Sequence, residues 1–412
     1  MNEPSPRVLA MLPGIMPSTL MNVVKPMMAL QKRGLIHFRV SLENYPSHAN
    51  INWSNIVVFC RNTEPRYRHN LDSILGKNIP FIYDIDDNLF EVPADTVDGR
   101  YYRAPQRLEL LEQYLKTASL VRVYSDPLLE AIREYNKHIH LVDPPIEWET
   151  LGLIPEKTTW KPVKIVYATS RREDRLASIF SDALSHLLRE YAQDVEMCFW
   201  GFKPQEFIDF PNVRFRKFSS NYDKFLHQFS SVGFDIGLAP LTDDRFHQSK
   251  TNNKFREYAA CCIAGIYSDV EVYSNCIQDR VTGLLVPNKP EAWYSALKTL
   301  IENVDLRQKI SQAARVQVET RYSSRQFQDE WMRMIKSVLD PSKNQPGVVQ
   351  AKTPGPKVQT VPKANQTSSK GWLEKSKRGI RSAGNLQTFI SNIYLHLSNF
   401  WWLIKLNIFK QA

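Results

Sequence analysis

The residues best placed to do chemistry lie in one stretch, SKTNNKFREYAACCIAGIYSDVEVY (249–273). Lys250 and Lys254 are four apart, and Lys254 and Glu257 three apart. That spacing lets all three share one face of a helix. Two ammonium groups on one face suit a diphosphate. A carboxylate beside them suits the paired hydroxyls of a ribose, which would donate two charge-assisted hydrogen bonds to it. Without such a ligand, Lys254 and Glu257 make a solvated helical ion pair that adds little to stability.

Two further groups could join them. YATSRRED (167–174) follows an apolar run, and Ser170 with Glu173 fits a capping box that opens a helix. Free backbone N–H groups there, with Arg171 and Arg172 beside them, would make a phosphate site; a capped surface helix with solvated arginines is the plainer reading. In FIYDIDDNLFEVP (81–93), Asp84, Asp86 and Asp87 come at the end of an apolar strand. A carboxylate at that end could orient a hydroxyl or help take its proton. Asp84 and Asp86 also form a D-x-D pair of the kind that holds a nucleotide diphosphate through a divalent cation, and all three could simply cap the following loop. No H-E-x-x-H or paired-ligand spacing involves the histidines, and His138 and His140 read as structural residues of a strand. The chain contains no G-x-G-x-x-G and no Walker loop, which argues against an ordinary dehydrogenase or P-loop enzyme.

These groups need elements to hold them. Short apolar runs at 8–12, 56–60, 81–85, 120–125 and 138–142 alternate with helical patterns at 18–33, 67–75, 104–118 and 127–135. After a break at 147–161 the alternation restarts, with strands at 164–168, 195–201, 213–218, 234–241, 265–270 and 283–287. Helical patterns lie between them at 173–191, 221–229, 253–264, 291–303 and 305–320, and a further one at 323–339. Continuous apolar strands separated by helices predict parallel sheets covered on both faces. Two doubly wound units make a bilobed molecule with a cleft at the carboxyl ends of the strands. A length of 412 residues fits two such domains.

Residues 340–371 are rich in Pro, Lys, Gln and Thr, which predicts a disordered linker. The segment 372–412 is basic first (Lys375, Lys377, Arg378, Arg381). It then becomes apolar at three- and four-residue steps from Leu386 to Ile408, with Trp401 and Trp402. That pattern predicts an amphipathic helix lying on an anionic membrane surface; docking on the protein itself and a true span are the other readings. The formal net charge is +10, and its surplus sits in this region, which leaves a nearly neutral body and argues against a nucleic-acid partner. Five cysteines without a C-x-x-C pair, and an N-terminus without a signal pattern, predict reduced thiols and a cytoplasmic protein.

The 249–273 segment resembles the donor-nucleotide signature of retaining GT-B glycosyltransferases of family four. There a helix carries K-x-x-E-Y-x-A-x-G-x-P ahead of a short strand and S-D. The matching residues are Lys254, Glu257, Tyr258, Ala260 and Ser268-Asp269, flanked by FDIGLAPL (234–241) and GLLVP (283–287). Ser249 stands where many members carry a second glutamate, and the G-x-P turn lacks its proline. Similar D-D-x-L-F runs occur in a bacterial subset of such transferases.

The resemblance implies an α/β GT-B fold with two Rossmann-like domains. The N-terminal acceptor domain would span 1–155, the donor-nucleotide domain 156–322, and a crossing helix 323–339. It implies sugar transfer from a nucleotide-sugar to a lipid-linked or polysaccharide acceptor, with retention, no metal and no cofactor. Gly14, Ser170, Arg171, Arg172, Lys250, Lys254 and Glu257 would bind the donor, and Asp86 and Asp87 would serve catalysis on the acceptor side. Two alternatives stand beside it: a catalytically silent GT-B-like binding module, and a metal-dependent GT-A-like transferase using Asp84 and Asp86.

Overall fold

Two six-stranded sheets carry the molecule. The first contains β1 (Arg7–Leu12), β2 (His37–Leu42), β3 (Ile56–Cys60), β4 (Phe81–Asp84), β5 (Leu120–Val123) and β6 (Ile139–Leu141). The second contains β7 (Val163–Ala168), β8 (Val195–Gly201), β9 (Val213–Lys217), β10 (Ile236–Ala239), β11 (Ala264–Ser268) and β12 (Leu284–Val286). The computed structural model describes residues 4–156, 161–170 and 175–340. Arg171, Arg172, Glu173 and the linker and tail beyond Asp340 lie outside the described residues.

The strand orders are β2-β1-β3-β4-β5-β6 and β12-β11-β10-β7-β8-β9, and every neighbouring pair is parallel. Central strands such as β3, β4 and β10 are buried along their whole length, as unbroken apolar runs require. The order reverses between β1 and β3 in the first sheet and between β7 and β10 in the second. Loops leaving the carboxyl ends of strands diverge at such switch points and open a crevice for ligands.

The sequence reading omitted β2 (HFRVSL) and the helix His48–Trp53. β2 is the edge strand and alternates polar with apolar residues, so a search for continuous apolar runs passes over it. The helix expected over 253–264 is shorter, Asn253–Ala260, because Cys262 turns left-handed (φ 55°) and leads straight into β11. The helix expected from 173 begins as a short 3-10 turn, Arg175–Ile179, and becomes α-helical only over Ser181–Glu190. Glu173, the partner expected with Ser170 in a capping box, lies outside the described residues.

The helix Ser324–Leu339 lies against the first lobe. Trp331 Nε1 donates to the Asn22 carbonyl (2.8 Å), Arg33 pairs with Asp329 (2.9 Å), and His140 meets Glu330 (2.9 Å). Asn22 lies in a π-helical turn, Leu20–Val24. Such a turn breaks the i→i−4 ladder, and this carbonyl also accepts from Arg122 (3.4 Å). The Arg122 guanidinium lies over the rings of Trp331 (4.2 Å), Phe327 (4.4 Å) and Tyr124 (4.8 Å). Cys60, Asp84, Arg122 and His140 stand in register on four successive strands, a polar row crossing the sheet under this helix.

Candidate active site

The second-lobe half of the site is built on the Asn253–Ala260 helix. Phe255, Tyr258 and Ala259 are fully buried and fix its rotation. The Tyr258 hydroxyl donates to the Leu238 carbonyl (2.8 Å), and its ring lies flat on Gly237, where any Cβ would meet it at 2.5 Å. That rotation brings Lys254 and Glu257 together (2.8 Å). Glu257 Oε1 also accepts from the Tyr222 hydroxyl (3.2 Å). Burial, and then the neighbouring Glu257, push the Tyr222 phenol well above its ordinary range, so it stays a donor. Sequence reasoning passed over Tyr222, because nothing local links it to a residue in another helix.

Lys250 does not share that face. It precedes the helix, and its ammonium crosses to Asp87 of the first lobe (2.7 Å) while lying over the Phe246 ring (4.1 Å). Ser249 is buried; its hydroxyl donates back to the Arg245 carbonyl (3.0 Å), and its own carbonyl accepts from Ser125 of the first lobe (2.7 Å). The two lobes also meet where Lys25 bridges Asp223 (2.5 Å) and Glu147 (3.1 Å).

On the first-lobe side the three aspartates divide. Asp84 is fully buried and bound to Arg122 (2.8 Å), the Tyr124 hydroxyl (2.8 Å) and the Cys60 thiol (3.3 Å). Its carboxylate is committed to the interior, which corrects the D-x-D alternative that needed Asp84 as a metal ligand. Asp86 and Asp87 emerge beyond the strand end. Both meet the Arg61 guanidinium, at 2.8 Å and 3.2 Å, and Arg61 is aimed by a left-handed turn directly after β3 (φ 58°).

Gly14 is buried at the end of β1, its carbonyl accepting from Thr19 Oγ1 (2.8 Å). Ser170 is exposed after β7. The backbone before it is laid against Gly201 (φ 100°), where a Cβ would come within 1.9 Å of the Thr169 carbonyl oxygen. Glu43 closes β2 nearby. Its carboxylate accepts from Asn62 (2.7 Å), and burial pushes its pKa up to about 7.

Residues from the carboxyl ends of both sheets thus converge between the lobes at the two switch points, which is the layout of a GT-B fold. No family model matches the chain, and no curated protein matches it. Solved structures do. Sucrose-phosphate synthase of Thermosynechococcus elongatus superposes with a TM-score of 0.60 at 14% identity, over 81% of this chain and 99% of that one. HepE of Anabaena, in a complex with UDP and glucose, gives 0.57 at 11% identity, over 81% and 100%. A glycosyltransferase of Rickettsia africae gives 0.54 at 16%, over 83% and 100%. At these identities the likeness is one of fold.

Proposed function

We propose that the chain is a glycosyltransferase that moves a sugar from a nucleotide-sugar to a lipid-linked or polysaccharide acceptor. The observation that supports this reading is the Lys254–Glu257–Tyr222 group on the second lobe, with Lys250 just ahead of the same helix meeting Asp87 of the first lobe. Glu257, held by Tyr222 and Lys254, receives the ribose hydroxyls. Lys250 and Lys254, with Arg171 and Arg172, neutralise the departing diphosphate. Gly14 and Ser170 line the donor's approach, and Asp86 or Asp87 orients the acceptor hydroxyl. Catalysis of this kind is mostly positioning and charge stabilisation. It proceeds with retention and needs neither metal nor cofactor. HepE, a fold neighbour, was solved with UDP and glucose, which supports a nucleotide-sugar donor here.

The test is a calorimetric screen of the full chain against UDP, GDP, ADP and their sugars, then of Glu257→Gln. Loss of a charged hydrogen-bond acceptor should weaken donor binding by about 1.5–3 kcal/mol, with Lys254→Ala weakening the diphosphates more than the nucleosides. Equal affinity in wild type and Glu257→Gln would sink the assignment. Binding without turnover would favour a silent module, which Ser249 in place of a glutamate also favours.

We place the protein at the cytoplasmic face of a membrane, held by residues 372–412. Among the described residues no helix is long and apolar enough to cross a membrane. Removing residues 341–412 should leave nucleotide binding intact and abolish sedimentation with anionic vesicles. Undiminished sedimentation of the shortened chain would place the membrane contact in the folded lobes.

A further inference from the structure

Glu43 follows β2 with both of its backbone groups pinned. Its N–H donates to the Leu12 carbonyl (2.9 Å), and its own carbonyl accepts from Asn70 Nδ2 (2.8 Å). One carboxylate oxygen is held by Asn62 (2.7 Å), itself locked by the Cys60 N–H (2.9 Å) and the Tyr83 hydroxyl (3.0 Å). The other oxygen takes no hydrogen bond from any described residue. In the same turn Asn44 keeps a buried side-chain oxygen without a partner among the described residues. Unmet acceptors of this kind call for a ligand rich in donors. Beside them, Arg107 pairs with Glu64 and lays its guanidinium 3.5 Å from the centre of the Tyr101 ring. Partial burial, with Tyr102, Glu64 and Glu43 nearby, pushes the Tyr101 phenol up to about 12 against the pull of Arg107. These groups therefore share one neighbourhood, and 45% of Tyr101 is still exposed. Tyr102 meets the Tyr101 ring edge-on (4.9 Å) and lies under Arg61 (5.8 Å), which pairs with Asp86 and Asp87. Tyr102 and Arg61 thus link the exposed ring to the carboxylates read above as serving the acceptor.

We propose that Tyr101, Glu43 and Glu64 form an outer acceptor subsite for a neutral sugar residue of a glycan, its ring lying on Tyr101 and its hydroxyls donating to the two carboxylates. As an acceptor subsite it rests on the glycosyltransferase reading above, whereas its binding of a glycan needs no nucleotide. A sugar ring offers an apolar C–H face to an aromatic side chain and a rim of hydroxyl donors to the groups around it. The Arg107 guanidinium behind Tyr101 fixes the platform. The charges of the subsite are Glu43 and Glu64 against Arg107, so a phosphate or uronate there meets an unfavourable field. Glutamine at position 43 would serve Asn62 equally and leave no anion to bury. What it could not do is accept from sugar hydroxyls with a charged group.

Full-length protein is passed, without nucleotide, over immobilised oligosaccharides: neutral glucans, galactans and mannans, and others carrying uronate or phosphate. At least one neutral glycan should be retained, and calorimetry with that oligosaccharide in solution then reads the variants. Tyr101→Ala should weaken binding about tenfold, as loss of a central aromatic contact does. Tyr101→Phe keeps the ring and should stay within about twofold of wild type. Glu43→Gln should weaken binding about tenfold, the value of one charged hydrogen bond, and yet unfold at a higher urea midpoint at pH 8. Damage to the fold would move both in the same direction. Retention on the anionic glycans, to which the basic residues of 372–412 contribute, should not differ between wild type and Tyr101→Ala. Failure to retain any neutral glycan overturns the subsite. So do equal affinities in wild type and either Tyr101→Ala or Glu43→Gln, or a preference for the anionic set that depends on Tyr101. Neutral binding that follows Tyr101 and Glu43, in a protein that neither binds nor turns over a nucleotide-sugar, would keep the subsite and sink the transferase reading instead.

Discussion

Replacing Arg122 with methionine is expected to cost about 3–5 kcal/mol, the usual result of stranding one member of a buried ion pair. Arg122 and Asp84 are both fully buried, 2.8 Å apart. Burial pushes the Asp84 carboxyl up, and Arg122, then the hydroxyl of Tyr124 and the thiol of Cys60, pull it back. Without the guanidinium nothing offsets that burial, so Asp84 is left either uncompensated or forced to take up a proton, both of which cost stability. Adding Asp84→Asn to the variant should therefore restore part of the loss, because the stranded carboxyl disappears. Urea unfolding at neutral pH measures both steps. A loss below about 1 kcal/mol for the single variant would show that water reaches the pair and that the aromatic cover is incidental.

Glu43→Gln should stabilise the protein progressively as the pH rises from about 4.5, with the full effect reached above about 7. The folded carboxyl ionises near 7 rather than near its ordinary 4.5, chiefly because it is buried. The sign follows from that elevation. Below pH 4.5 both folded and unfolded chains carry it neutral, and its contribution is complete. Between 4.5 and 7 the unfolded chain ionises first and stability drains away, and above 7 the folded chain holds an ionised, desolvated group. The difference amounts to about 3 kcal/mol. Glutamine keeps an acceptor for Asn62 and never ionises. Melting curves at pH 5 and pH 8.5 should therefore nearly coincide for the two proteins at the lower value and separate at the higher one. Parallel curves across the range would show that Glu43 is hydrated in the folded state.

Most of the fold was legible because doubly wound sheets write themselves as unbroken apolar runs. VLAML, IVVFC and KIVYA became strands with little change of boundary. The exception, β2, is an edge strand and follows a different rule. At the site, Lys254 and Glu257 could be paired from their spacing, since one helix holds both. Lys250 could not be placed, because its partner lies more than a hundred residues away in the other lobe. The three aspartates look alike in sequence, and only strand pairing separates them. Asp84 stands beside Cys60 and Arg122 in the register, whereas Asp86 and Asp87 lie past the last paired residue. A comparison of strand ends could have found that polar row, since Cys60, Asp84, Arg122 and His140 each interrupt or end an apolar run. Tyr222 and Arg61 left no such trace.

The helix Ser324–Leu339 also bears on how the chain is made. Its Phe327 and Trp331 are the lid over Arg122, and its Glu330 meets His140. The sheet they cover is finished at Leu141. At ordinary translation rates the ribosome needs roughly 10–40 s to add the about 190 residues from there to Trp331. The N-terminal lobe therefore emerges with its central arginine uncovered and waits for the whole second lobe to be synthesised. Folding of the two halves is tied together in time, and a nascent chain stalled before residue 327 would display the unfinished face to chaperones.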